Sequence, residues 1–315
     1  MITEAQIDHF NTKGFVVIEN LIDDKALQGI RREYFALMDR LYDDWAAQGL
    51  VKPATDEMDF WQKLDQCYQG NFDWYQPFDI SLPHDGITTK TPMHFGPAMF
   101  DIVRHKNILD TIEALIGPEI TSNPIQHVRI KPPQRAVPQS EHRAHIVSTD
   151  WHQDMGVTLP EANKTQMVTV WLAVTDATIE NGCLQVSDGA YDALLPHCLK
   201  NQVVIPDQFL ASGTTTPLPV KAGGAVLFHP LTPHCSLPNN SDEYRWSFDL
   251  RYNVTGQATG RSQFPEFIAR SKTHPDSALD DWQKWRDMWQ AARDHEANVE
   301  HISQHRWGND APYCA

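Results

Sequence analysis

The sequence predicts a mainly β chain with helices: an antiparallel β core with a helical outer layer. Three observations carry this. Helical periodicity dominates up to about residue 118 and returns near 277, short strand-like runs follow one another from about 119 to 255, and no segment repeats. Helices followed by a series of strands is the layout of a sheet covered by helices. The chain has 315 residues, 41% hydrophobic and 10% aromatic, enough for a sizeable core. We expect one domain over 1–315, with a helical part at about 1–118, a β core at about 119–255 and a helical extension at about 256–315.

Thr3 with Gln6 three residues on is a capping-box pattern, so residues 3–13 read as a helix. Gly14 leads into a short apolar strand, Phe15 to Ile18. Asp23 and Asp24 open a longer helix to about Leu41, with Leu27, Ile30, Tyr34, Leu37 and Leu41 at helical spacing. Residues 42–95 read as irregular and aromatic-rich, and we expect them to shape a pocket. Residues 106–116 form an amphipathic helix closed by Gly117-Pro118. Strands are expected at 125–130, 150–157, 167–175, 183–186, 224–228 and 246–252, with Asn181-Gly182 as a turn. The segments 131–144 and 206–219 read as loops. A helix near 277–297 carries the stripe Leu279, Trp282, Trp285, Met288, Trp289 and Ala292, which is expected to pack on the β core rather than to make a dimer contact.

Net charge is −15, from 26 basic and 41 acidic residues. That balance argues against nucleic acid and against anionic membranes as partners, and against a strongly anionic substrate unless a local basic patch receives it. No run approaches the length needed to span a bilayer, and the first residues lack a basic-then-apolar leader, so a cytoplasmic home is expected. Five cysteines with no CxxC pair argue against a disulfide framework and a thiolate zinc site; Cys183 and Cys235 read as buried thiols. The expected partner is a small-molecule substrate, the chain being a monomer or homodimer.

The segment His152-Gln153-Asp154 places an imidazole and a carboxylate two residues apart, on one face if extended. These are two of the three donors of a 2-His-1-carboxylate site, which leaves positions open on iron. His-x-Asp should arise by chance about once in a chain with 15 His, and His274-Pro275-Asp276 is a second copy. Its proline suits a loop and helix start better than a strand. Only the first copy is followed, 80 residues past Asp154, by a strand-borne His234, and eleven residues later by Arg245. The guanidinium fork of an arginine holds a carboxylate bidentately. His229 competes with His234 for the third position, but Ser236 and the spacing to Arg245 favour His234. His142 and His145 read as solvated loop residues, and Arg129, Lys131 and Arg135 as loop charges that could gather an anion.

Taken together, Trp151-His152-Gln153-Asp154, Trp171-Leu172-Ala173, Glu180-Asn181-Gly182-Cys183-Leu184, His234-Cys235-Ser236 and Arg245 resemble the phytanoyl-CoA dioxygenase family of Fe(II)/2-oxoglutarate-dependent oxygenases. Gly14 to Ile18 and Gly117-Pro118 fit it too, and the likeness covers most of residues 1–253. The resemblance implies a double-stranded β-helix (jelly-roll, cupin-like) core with flanking helices. It implies iron(II) held by His152, Asp154 and His234, with 2-oxoglutarate and O2 as co-substrates. Arg245 would pair with the distal carboxylate of 2-oxoglutarate beside Ser236, while Trp171, His127 and Lys90 would line that pocket. The implied reaction is hydroxylation with release of succinate and CO2; the aromatic stretch points to an apolar or ring-bearing substrate. Acyl-CoA hydroxylation, desaturation and epoxidation stay open, as do a non-catalytic jelly-roll binding protein and a zinc hydrolase. The chain departs from the family where Val186-Ser187-Asp188-Gly189-Ala190-Tyr191 replaces the usual Pro-Gly-Ser-His continuation, which puts substrate choice in doubt.

Overall fold

The computed structural model describes residues 2–70, 72–141, 143, 146–189, 192–211, 213–300 and 303–314. His142 and His145 lie outside the described residues. The first helix, α1 (Glu4–Lys13), carries the capping box: Gln6 N–H donates to Thr3 Oγ1, and Thr3 N–H to Gln6 Oε1. It ends where Gly14 turns left-handed at φ 77° and its N–H reaches Phe10 O. Strand β1 (Phe15–Ile18) follows, then α2 (Asp24–Ala47), capped by Asp23 and burying Leu27, Ile30, Tyr34, Leu37, Met38, Tyr42 and Trp45. Next come α3 (Phe60–Gln69), α4 (Pro97–Val103), α5 (Lys106–Ile116), β2 (Ile120–Lys131) and a one-turn α6 (Asp154–Val157). The strands β3 (Met167–Ala173), β4 (Leu184–Ser187), β5 (Cys198–Leu199), β6 (Val203–Val204), β7 (Thr215–Leu218), β8 (Ala225–Phe228), β9 (His234–Ser236), β10 (Arg245–Val254) and β11 (Phe267–Arg270) precede the last helix, α7 (Trp282–Glu296).

The strands form a six-stranded antiparallel sheet ordered β1-β8-β3-β10-β2-β11, a three-stranded sheet β7-β4-β9 and the ribbon β5-β6. The large sheet is covered on both faces. Val168, Val170 and Leu172 of β3, with Trp246, Phe248, Leu250 and Tyr252 of β10, pack with the helices in one core cluster. The alternate residues Trp171, Ala173, Val226 and Phe228 pack against Leu184, Val186 and Leu218 of the small sheet. This two-period alternation explains why β3 is buried along its whole length. It also has a consequence for charge. Arg245, Ser247, Asp249 and Arg251 of β10, and His127, Arg129 and Lys131 of β2, fall in the complementary register, away from the helices.

Several expectations change. Residues 42–95 are less irregular than their composition suggests, since they hold the end of α2 and all of α3. Trp45, Phe60, Trp74 and Phe78 belong to the core, while Tyr75, Gln76, Leu82 and His84 of the same segment line a cavity, as expected of it. The motif segment 150–157 is not a strand: His152 makes a single β-bridge with His234, and α6 begins at Asp154. The segment 206–219 contains β7, and β11 went unanticipated. Lys131 ends a strand and is buried, rather than lying in an exposed loop. Cys198 and Cys314 form a disulfide across 116 positions, against the expectation from an odd cysteine count; Cys67, Cys183 and Cys235 are free and buried. On α7, Trp285 and Trp289 are buried against Phe95, Phe100, Phe264 and Phe267, the packing role expected of the stripe. Among the described residues no helix is long and apolar enough to cross a membrane.

Candidate metal and co-substrate site

His152, Asp154 and His234 converge, with one potential ligand atom from each lying within 4.8 Å of the others, and all three are buried. Three local devices bring them there. Reciprocal backbone bonds, His152 N–H to His234 O (3.0 Å) and His234 N–H to His152 O (2.9 Å), lock the two histidines side by side on different elements. Each imidazole donates from Nδ1 to a carbonyl, Asp150 O at 2.8 Å and Thr232 O at 2.9 Å. A carbonyl only accepts, so both rings keep their lone pair on Nε2, the tautomer a metal needs. The His234 ring is also stacked on Phe228 at 4.3 Å.

Asp154 is fixed by Arg251, whose Nη2 meets Asp154 Oδ1 in a buried ion pair. Burial alone would raise the carboxyl's proton affinity, but Arg251, His234 and His152 outweigh it and hold Asp154 well below the usual range. Its other oxygen, Oδ2, lies 3.9 Å from His234 Nε2 and is buried without a hydrogen-bond partner. An anionic oxygen orphaned between two imidazole lone pairs fits a divalent ion. Burial, then the neighbouring His234, pushes His152 well below 6.5, so it stays neutral.

Gln153, between the ligands, does more than space them. Its Nε2 donates to Leu231 O (2.6 Å) and Ala193 O (3.1 Å), its Oε1 accepts from Leu195 N–H (2.7 Å), and its own N–H donates to His197 Nε2 (3.1 Å). From the C-terminal tail, Arg306 binds Met155 O and Thr158 O, and Trp307 Nε1 donates to Gly156 O at 2.7 Å. The tail thus braces α6, a role no sequence signal marked.

Beside the triad, a narrow recess is lined by Trp171, Leu184, Phe228, Cys235 and Arg245. Arg245 is buried with its guanidinium 5.0 Å from the centre of the Trp171 ring. It donates to Ser247 Oγ at 2.9 Å, keeps Nε unpartnered, and makes no ion pair among the described residues. Burial, then Arg129, brings its value down to about 10. Lys131 Nζ donates to Ser236 Oγ and Leu237 O, both at 2.7 Å, and burial, then Arg245 and Arg129, push it well below its ordinary value. Ser236 Oγ also accepts from Thr149 N–H at 2.8 Å, which leaves its own proton to donate. A buried guanidinium with only neutral partners calls for an anion.

The recess adjoins a cavity of about 580 Å³ that shares His152, Thr149 and Arg129 with it. His127 lines this cavity, its Nδ1 2.9 Å from Asp79 Oδ2, and not the recess beside Arg245 where a co-substrate pocket was expected. Arg129 is ion-paired with Asp249. Arg135, by contrast, is exposed and paired with Asp242. Lys90 is not brought to the site: it lines a separate surface cavity of about 1030 Å³ with residues of α2, α4 and α7. His229 is exposed and stands outside the cluster. Arg251 and Gln153 were missed, and Lys131 was read only as a loop charge that could gather an anion. For the two cations the signal was present: alternating polar residues within otherwise apolar strands, Arg245-x-Ser247-x-Asp249-x-Arg251 and His127-x-Arg129-x-Lys131.

The sequence model of the phytanoyl-CoA dioxygenase family (PhyH) matches residues 10–247. The chain belongs to the phytanoyl-CoA dioxygenase family. Among curated relatives, it is 31% identical over 97 residues to a methylphosphonate hydroxylase of Gimesia maris, covering 31% of this chain and 37% of that protein. It is 26% identical over 170 residues to a probable phytanoyl-CoA dioxygenase of Caenorhabditis elegans, covering 50% and 51%. The chain therefore spans about half or less of the length of these relatives. Two solved structures share the family's fold. The non-haem monooxygenase ThoJ aligns at TM-score 0.58 and 20% identity, over 93% of this chain and 98% of that one. EvdO2 from Micromonospora carbonacea var. aurantiaca, complexed with 2-oxoglutarate, aligns at 0.55 and 19%, over 82% and 94%. The expected double-stranded β-helix with flanking helices is the fold found.

Proposed function

We propose that this chain is a 2-oxoglutarate-dependent non-haem iron dioxygenase, an oxidoreductase that hydroxylates a C–H bond of a small molecule. The observation that carries this reading is the pairing of a 2-His-1-carboxylate triad with an adjoining buried arginine, Arg245, that has no anionic partner among the described residues. Iron(II) with 2-oxoglutarate and O2 supplies the oxidation, and succinate and CO2 are released. The protein's part is to bind and orient.

His152, His234 and Asp154 hold the metal through Nε2, Nε2 and Oδ2, with Arg251 keeping Asp154 ionised. Arg245 receives the distal carboxylate of 2-oxoglutarate, and the Ser236 hydroxyl, held by Lys131 Nζ, donates beside it. The Trp171 ring adds a cation–π contact to the guanidinium. His127, held by Asp79, walls the substrate side. The cavity of about 580 Å³ is within the size range that takes a small molecule whole, which favours such a substrate over an acyl-CoA. The Gimesia maris relative named as a hydroxylase supports hydroxylation over desaturation or epoxidation. A binding protein without catalysis has no use for three intact donors, and a zinc hydrolase has none for Arg245.

Anaerobic titration with Fe(II) and then 2-oxoglutarate tests this. A visible metal-to-ligand charge-transfer band is expected; a folded protein that shows none refutes the oxygenase reading. Arg245→Ala should weaken 2-oxoglutarate binding by about 2 kcal/mol or more, as for loss of a partner to a buried charge, and leave iron affinity nearly unchanged. Equal loss of both would contradict the role of Arg245.

A further inference from the structure

The substrate cavity holds a second cationic group that the metal and 2-oxoglutarate do not use. Arg261 follows Gly260, whose φ of 76° and lack of a side chain let the backbone close on α6; a Cβ there would meet Thr158 Cβ at 2.6 Å. The arginine is 4% exposed. Its Nη1 donates to Gly260 O (2.9 Å) and its Nη2 to Val157 O (2.6 Å), neither of which carries charge. Among the described residues it makes no ion pair; Glu161, which is exposed, acts on it only through space. Arg251, in the same cavity, has its charge matched by Asp154, and Arg129 by Asp249. Arg261 has no such match, and a buried guanidinium left without a counter-charge is costly.

Two imidazoles stand with it on the cavity wall. His84 and His305 lie 4.6 Å apart, ring centre to ring centre. His84 Nδ1 is fixed at 3.0 Å by Gln304 Oε1, and His305 Nδ1 is buried without a partner. Both rings feel the positive field of Arg261. Donors and positive charge are thus gathered here, opposed by the fields of Glu161 at Arg261 and of Asp85 and Asp79 at His84. The same cavity contains His152, so an anion bound here is held within one enclosure with the metal site.

We propose that Arg261, His84 and His305 form a subsite for an oxyanion on the substrate, a carboxylate or a phosphoryl-type group, which tethers the molecule while its C–H bond faces the triad. The proposal deepens the function proposed above and rests on it. It replaces the apolar substrate suggested by the aromatic stretch, and it supplies the local basic patch that an anionic substrate of a chain of net charge −15 requires.

Calorimetric titration of the protein loaded anaerobically with Fe(II) and 2-oxoglutarate tests it, using inorganic phosphate in one arm and acetate in the other. Saturable binding in at least one arm is expected, and the tighter arm names the anion. Arg261→Gln should weaken that binding by about tenfold or more, as for loss of a charge-assisted bond, with 2-oxoglutarate affinity unchanged. The double variant His84→Gln/His305→Asn should weaken it severalfold and serves if Arg261→Gln does not fold. No saturable binding in either arm, or binding unaffected by these substitutions, overturns the subsite. If the charge-transfer band never forms, the proposed function fails by itself. The subsite is then read by the same titrations on metal-free Arg245→Ala protein, whose other anion site is disabled, with the same outcomes deciding.

Discussion

Lowering the pH from 7 to 4 should cost the folded chain about 3 kcal/mol through one side chain, His197. The ring is 1% exposed, and its Nε2 accepts the N–H of Gln153 while its Nδ1 donates to Leu195 O. Only the neutral ring can do both. Burial lowers its value from 6.5 to about 4, with Arg306 assisting. The folded value lies below the unfolded one, so the unfolded chain takes up the proton first as pH falls. The contribution is therefore complete above 6.5 and is lost as pH falls toward 4. Each pH unit of that window is worth about 1.36 kcal/mol, so the roughly 2.5 units between 6.5 and 4 amount to about 3 kcal/mol. Urea unfolding of the metal-free protein at pH 7 and 4 measures the drop. Other buried histidines also contribute, and comparison with His197→Gln removes their share, because they are common to both proteins. The variant should start less stable and lose about 3 kcal/mol less on acidification. Equal losses in the two proteins would refute the neutral-acceptor role.

Arg251→Met strands the Asp154 carboxylate in the interior and should cost about 3–5 kcal/mol in the metal-free protein, with part regained on adding Fe(II); urea midpoints with and without metal check this. Trp289→Ala removes a fully buried ring that stacks on Phe95 and packs against Phe264, and should cost about 3–5 kcal/mol without altering the charge-transfer band of protein that remains folded.

The site was readable in the sequence where chemistry demands fixed residue types in a fixed order. His152, Asp154, His234 and Arg245 stood out because a metal and a carboxylate tolerate few substitutes. The fold was readable where local signals are strong or periodicity is long, as in Thr3 capping α1 and the α2 stripe. What stayed hidden depends on contacts between distant segments. The strand expected at 150–157 fails because Gln153 is tied to residues 193–195 and 231, which turns the chain into α6 at Asp154. Lys131 reads as a loop charge until β2 and the Ser236 hydroxyl enclose it. Aromatics at 42–95 read equally well as a pocket or a core, and helices α2 and α3 decide for the core. Lys90 was carried by likeness alone, and its neighbours place it on another surface.

The Cys198–Cys314 bond makes the chain a lasso. His234, Arg245, Arg251, Arg261 and His305 lie inside its loop, and His152 and Asp154 lie outside on the free arm. The knot sits beside the segment Ala193–Leu195 that grips Gln153. Closing a loop of 116 residues restricts the unfolded chain by about 5 kcal/mol on the chain-entropy account. That is comparable to the whole stability of many domains. A thiol–disulfide change at this buried bond would therefore be felt as a change in how firmly the two halves of the metal site are kept together, with no ligand altered.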